Sequence, residues 1–549
     1  MISRPTGKAA DSRPQARESS TFVRSWDQPG TAIAEHATMH HRTWNSIILA
    51  LVAIAFDRCG PIAGGAKLDT DDLARIQGLA ITTTSLHAGM QGVVYAPEVL
   101  RANGGSGPLK WTASGLPPGL ALDGDTIEGT VTPGQLPVEG QAFTYLVQVL
   151  VQDGIGTASA QLSLTIAPAD LFIAPSPIGS DGNNGLYAQS SGGANGPFAT
   201  INGAQAALSK IVGGRATPIF VYLRGGTYFL TSAIEPTTSG TSMASILYQA
   251  FPDDPPPVMS GGIRVSSAWR GVAKNGGTVW STMLAASTVD FSSLFIDGVR
   301  HYTPRAKASP STGYLYNAGP VCVAPTDPNF NPTTCTSTTT YCSGGTPYQC
   351  FDRFHFAPGD ISSSWKNISV NGTHPIIVDD FECWDVSKLR LERVDTQNNI
   401  AYLTGPTKVD YRCHGFMPGH RYLVENVEDD LAEESGSFYV DESTTPWTLS
   451  YFTTRGDDPN HETVIVPQQP SLLRANGLEF VTFRGLTFSH DNWIIPPEGY
   501  ASVQAEVTVP AAVSFVDSSS VVIDGCIISQ ISAHGLEITA DKSGTGFNQ

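Results

Sequence analysis

The feature that most constrains this chain is an internal repeat near its end. Phe483, Gly485, Leu486 and Phe488 match Ile523, Gly525, Cys526 and Ile528 forty positions later, and Val513 and Phe515 match Leu536 and Ile538 twenty-three positions later. Inward apolar residues that stack on their equivalents one coil away produce this pattern, so it predicts a solenoid with coils of just over twenty residues. Composition agrees. Gly (55) and Pro (38) are plentiful, and charged residues make up only 15%. Clusters of Val, Ile, Thr, Tyr and Phe broken by Gly, Pro, Asn and Asp predict an all-β chain of short strands and many turns. A length of 549 residues predicts two or more domains.

The formal net charge is −18. A phosphate backbone would be repelled by such a surface, and no basic stripe interleaved with aromatics is present, so nucleic acid is excluded as a partner. A neutral glycan tolerates this charge, whereas an acidic polysaccharide would need a local basic or metal-loaded groove. The one strongly apolar run, 47–56 (IILALVAIAF), is about half the roughly 20 residues a membrane span requires. His40, His41 and Arg42 precede it and Gly64-Gly65-Ala66 follows. That order predicts a signal peptide within an N-terminal extension, 1–66, with Met39 as the true start and a secreted or cell-surface location. A poor lipobox before Cys59 argues against lipid anchoring.

From 76 to 167 the pattern is strand and turn throughout, about seven strands, closing on the alternation Leu162, Leu164, Ile166. The Gly-Gly/Trp111 strand, LPPGL (116–120), IEGT (127–130) and VQDGIGTASAQLSLTI (151–166) resemble the putative-Ig (He_PIG-type) domains of bacterial surface proteins. The resemblance implies an Ig-like β-sandwich that serves as a spacer or adhesion module, with Trp111 in its core.

A second domain is expected over 171–549. Ile201, Ala204, Leu208 and Ile211 share one face of a short helix capped by Thr200. The segments GPFATINGAQAAL (196–208), PIFVYLRGGTYFL (218–230), PVMSGG (257–262), LFIDGVR (294–300) and FVTFRGLTF (480–488) resemble the entry and coils of a right-handed parallel β-helix of the pectate-lyase-like superfamily. They are most similar to β-helix glycoside hydrolases of the α-fucosidase/xylanase type. The region 263–470 repeats poorly and reads as a β-rich excursion packed on the helix. Nothing before Gln549 looks like a cap, so the β-helix is expected to be truncated at its C-terminus and to lack part of its site.

Cys322, Cys335, Cys342 and Cys350 crowd a Gly/Ser/Thr-rich insertion near 311–350. No CxxC-like pair favours zinc, and export favours two disulfides, with three pairings open. Cys383 and Cys413 are candidates for a third bridge, and Cys526, at an inward position, is expected to be a buried free thiol. The resemblance implies glycosidic-bond cleavage in a plant or microbial polysaccharide, by hydrolysis rather than by a lyase reaction. A hydrolase needs two carboxyls, roughly 5–5.5 Å or 6.5–9.5 Å apart for retention or inversion. The candidates are Asp491, Glu506 and Glu537 as acid or base and His490 next, with Trp493 stacking on a sugar. No cofactor and no metal is called for. The alternative is a non-catalytic cell-surface glycan-binding or adhesion protein.

Overall fold

The computed structural model describes residues 78–540, except 309–311, 337–341, 343–346, 369–373, 409–414 and 502–507. The signal-like segment, Cys413 and Glu506 therefore lie outside the described residues. The fold is mostly β, as expected, with one α-helix among the described residues.

Three parallel sheets are built from strands within 171–260 and 473–539. The first contains Leu171–Ile173, Ile219–Leu223, Ile246–Ala250, Glu479–Arg484 and Ser519–Asp524. The second contains Gly226–Phe229, Pro257–Ser260, Thr487–Ser489 and Ile527–Ser529. The third contains Leu473–Asn476, Ala511–Val516 and His534–Thr539. The forty-residue repeat is the pairing register itself: Phe483 lies beside Ile523 and Phe488 beside Ile528. The shorter repeat places Val513 beside Leu536 and Phe515 beside Ile538.

Side chains between these sheets form one core. Tyr248 is fully buried and stacks on Phe483 with ring centroids 5.3 Å apart. The helix Ile201–Val212 adds Ile201, Ala204 and Leu208 to the same core, and the Thr200 hydroxyl accepts the Gly203 N–H at 2.8 Å as its cap. The backbone corners repeat as well. Positive φ recurs at Gly477 and Asp517, Phe480 and Ser520, Gly485 and Gly525, and His490 and Gln530. Glycine enters that region without steric cost, which accounts for Gly485 and Gly525 in the repeat.

Two expectations need correction at the last described coil. Leu536 and Ile538 were expected inward but are exposed, and Cys526 is half-buried rather than buried. No described strand pairs with the outer edges of these last strands, so their side chains have neighbours on one side only. Cys526 is free, as expected, and its thiol donates to the Phe483 carbonyl at 3.3 Å.

Residues 261–472 leave the parallel sheets without opening them. Tyr248 still pairs directly with Phe483, and Val258 with Thr487. The excursion has sheets of its own. One includes the hairpin Leu294–Ile296 and Val299–His301, and the largest includes Ile377–Phe381, Val386–Asp395 and Arg421–Glu425. Within it Cys322 bonds Cys342 and Cys335 bonds Cys350, so two disulfides form and the pairing is settled. Cys383 is also in a disulfide.

Before the parallel sheets, two antiparallel layers face each other. One holds Thr157–Ala167, Phe143–Gln152 and Lys110–Ser114, and the other holds Val94–Val99, Thr126–Thr130 and Leu120–Asp123. Tyr95, Ile127, Val147, Val149, Leu162, Leu164 and Ile166 fill the space between, and Trp111 packs against them.

Alternation along the excursion strands puts acids on both faces of one sheet. On the core side Asp380 is fully buried, with no hydrogen-bond partner for either carboxyl oxygen. Nearby Glu382 accepts from Ser387 Oγ at 3.2 Å and the Gly415 N–H at 3.4 Å. Burial, then the Asp385 charge, pushes Glu382 up to about 8, and burial with Glu382 raises Asp380.

Two stability experiments follow. Phe483→Ala removes a buried ring from the stack and should cost about 3–5 kcal/mol in denaturant unfolding; a loss below 1 kcal/mol would show the core is not packed as described. The second concerns pH. A carboxyl whose folded pKa is raised stabilises fully below its unfolded pKa of about 4 and loses that contribution as pH rises through the folded value. Stability should therefore fall between about pH 4 and pH 8, and Glu382→Gln should flatten the slope. An unchanged slope in that variant would remove Glu382 as the cause.

Candidate functional site

The excursion returns to the parallel sheets along a seam at 490–495, just past the strand Thr487–Ser489. Ser260 Oγ and His490 Nδ1 are 3.0 Å apart, and the His490 ring meets Phe295 edge-on. The Asn492 side chain donates to the Asp290 carbonyl at 2.7 Å, and Arg390 donates to the Ile495 carbonyl. Arg300 reaches from the hairpin to the Ile531 carbonyl at 2.7 Å.

This seam borders a cleft of about 380 Å³. Trp493, Ile494, Ile495 and Ser532 line it from the side of the parallel sheets. Strand alternation supplies the opposite wall. Ile377, Asp379 and Phe381 face the cleft while Val378 faces the core, Lys388 and Arg390 face it while Leu389 and Leu391 do not, and Leu423 and Glu425 face it while Tyr422 and Val424 do not.

The Lys388 ammonium touches Asp379 at 2.5 Å and Glu425 at 3.4 Å, and Arg305 donates to the other oxygen of Glu425 at 3.2 Å. Burial and the Glu425 charge raise Asp379 above the ordinary carboxylate value, although Lys388 pulls the other way. Burial alone would also raise Glu425, but Lys388 and Arg305 outweigh it and hold Glu425 below its ordinary value. Two carboxyls bridged by one ammonium are thus driven apart in acidity, Asp379 raised and Glu425 lowered. That is the division of labour between a general acid and a charged partner. On the same cleft, His374 Nδ1 lies 2.7 Å from Asp290.

Of the residues singled out in the sequence, Trp493 lines the cleft and meets Tyr500 edge-on. Asp491 sits one layer behind, 1% exposed, accepting the Ser532 N–H at 2.7 Å. Burial pushes it up to about 6, although that N–H and Arg300 pull the other way. His490 is buried in the seam, and burial lowers it to about 4, so it is neutral there. Glu537 lies on the strand His534–Thr539 beside Ser514, away from the cleft lining. Sequence reasoning missed Asp379, Lys388, Glu425 and Arg305. The available signal was period-two alternation of charge and Leu in Lys388-Leu389-Arg390-Leu391, which marks a strand with one polar face against a cavity. Among the described residues no helix is long and apolar enough to cross a membrane.

No family model and no curated protein matches the chain. Among solved structures it is similar to one described as a glycoside hydrolase, at 17% identity over 67% of this chain and 63% of that one, with a TM-score of 0.47. It is also similar to the complex of XylC with xylose, at 15% identity over 65% and 40% of the two chains, TM-score 0.28. A third is a SusE-like surface-located polysaccharide-binding protein from the heparin utilisation locus of Bacteroides thetaiotaomicron, at 12% identity over 69% and 60%, TM-score 0.14. The chain thus spans less than two thirds of the length of each.

Proposed function

We propose that this is a secreted carbohydrate-active protein that cleaves glycosidic bonds in the cleft at the seam. In this reading residues 76–167 are an Ig-like module and 171–549 a right-handed parallel β-helix interrupted by the excursion. The three parallel sheets and their in-register repeat support the β-helix. The disulfides support an oxidising, extracellular setting.

The observation that carries the catalytic reading is a pair of cleft-wall carboxyls, Asp379 and Glu425, held about one ammonium, with Asp379 raised and Glu425 lowered in pKa. Asp379 serves as general acid to the leaving oxygen, and Glu425 stabilises or attacks the sugar carbon. Trp493 offers an apolar face to the ring. Asp491 positions Ser532 behind the wall. A volume of about 380 Å³ falls in the range of small-molecule sites.

A second reading, glycan binding without cleavage, draws support from Lys388. Its ammonium occupies the space between the two carboxyls, where a water or glycosidic oxygen would have to enter.

The test is an assay of the whole chain on a panel of plant and microbial glycans. Asp379→Asn and Glu425→Gln should each lower kcat by about 10²-fold or more, and Asp491→Asn less. Activity should fall as pH rises through the raised pKa of Asp379, and this limb should vanish in any residual activity of Asp379→Asn. Cleavage undiminished in both cleft variants would move the chemistry elsewhere. Glycan retention with no cleavage by a soluble, folded chain would decide for the binding reading.

A further inference from the structure

Resting on the cleft as the sugar site, we propose that it takes a sugar unit bearing an anionic group, received by the guanidinium of Arg300. The cations of the cleft are not equivalent. Lys388 is committed to Asp379 and Glu425, and Arg305 to Glu425. Arg300 donates instead to neutral acceptors, Ser293 Oγ at 2.6 Å and the Ile531 carbonyl at 2.7 Å. No carboxylate among the described residues pairs with it. Asp491, whose charge it feels, is turned to the Ser532 N–H, and Asp290 is turned to His374.

A guanidinium carries five N–H donors in a planar fork that matches a carboxylate or sulfate. The bonds to Ser293 and Ile531 engage one hydrogen on each terminal nitrogen, which leaves three donors. The Phe295 ring, 4.7 Å from the guanidinium carbon, backs one face and holds the fork in place. The group is half-buried, and burial lowers its pKa, the mark of a cation whose lost hydration is not fully replaced. Ser292, Ser293, Ser532 and Trp493 line the same cavity and supply hydroxyls and an apolar face beside it.

The charge of the whole chain sharpens the point. A net −18 repels an acidic polymer from most of the surface, so such a polymer needs a local cationic groove to enter. The cleft sets Arg300, Arg305, Lys388 and Arg390 against Asp290, Asp379 and Glu425, one more cation than carboxyl. Arg300 is a cation of that lining whose own bonds go to neutral acceptors.

Binding of the full chain is measured to glucuronate-bearing oligosaccharides, to the same oligosaccharides after carboxyl reduction, and to sulfated ones. The wild type should retain the uronate or the sulfated form at least about tenfold more tightly than the reduced form, the value of one charge-assisted bond. Which of the two is preferred identifies the anion. Arg300→Gln keeps hydrogen-bond donors without charge. It should bring the anionic form down to the neutral level while leaving the neutral form unchanged, which also shows that the variant folds. Arg300→Lys should recover part of the preference. Equal retention of anionic and reduced glycans by the wild type overturns the inference and leaves the cleft standing. A parallel loss of both forms in Arg300→Gln makes Arg300 a tether between the hairpin and Ile531, and also overturns it. Retention of no glycan at all overturns the inference together with the cleavage reading beneath it.

Discussion

The parallel pairing of Ile246–Ala250 with Glu479–Arg484 is the contact on which everything else depends. Its partners are separated by more than two hundred residues of sequence, yet their hydrogen bonds close as if nothing intervened. Long-range pairing of this kind has a high loop-closure cost. It is met by the apolar residues it brings together: Tyr248 on Phe483, with Val481 and Leu486 fully buried beside them. The same register recurs one layer on, with Val481 beside Val521 and Phe483 beside Ile523.

That closure determines where the excursion must leave and return. It leaves after Ser260 and comes back before Leu473, and the seam at 490–495 is the point where the two bodies of structure touch. The contacts there are mostly polar, namely Ser260 to His490, Asn492 to the Asp290 carbonyl, and Arg300 to the Ile531 carbonyl. A polar seam between two apolar cores leaves room for a cleft with charged walls, because neither core extends into it. His490 is buried there between Ser260 and Phe295, and Asp491 against Ser532, and burial is the first cause of the shift in each.

The charged wall follows from strand geometry. In Ile377–Phe381 successive side chains point to opposite faces, so Asp379 looks into the cleft and Asp380 into the core side. The first gains Lys388 as a partner, whereas the second has none for its carboxyl oxygens. Two neighbouring aspartates are thereby given different chemistry by one residue of offset.

The sequence alone determined what is periodic and local. The forty-residue repeat, the Thr200 cap, the alternation Leu162-Leu164-Ile166 and the crowding of four cysteines each reflect contacts between near neighbours or between copies of one pattern. They are legible because the same physical requirement is written more than once. Trp493 and Asp491 were legible for a related reason, since they follow the repeating strand directly. Only the tertiary structure decided the disulfide pairing, the burial of His490 and the meeting of Asp379, Lys388, Glu425 and Arg305. Those residues come from separate strands and a loop of an excursion that repeats poorly, and their neighbours across the cleft are set by how the excursion folds back. A carboxyl's acidity depends on the charges and water around it, and those surroundings exist only once the chain has closed.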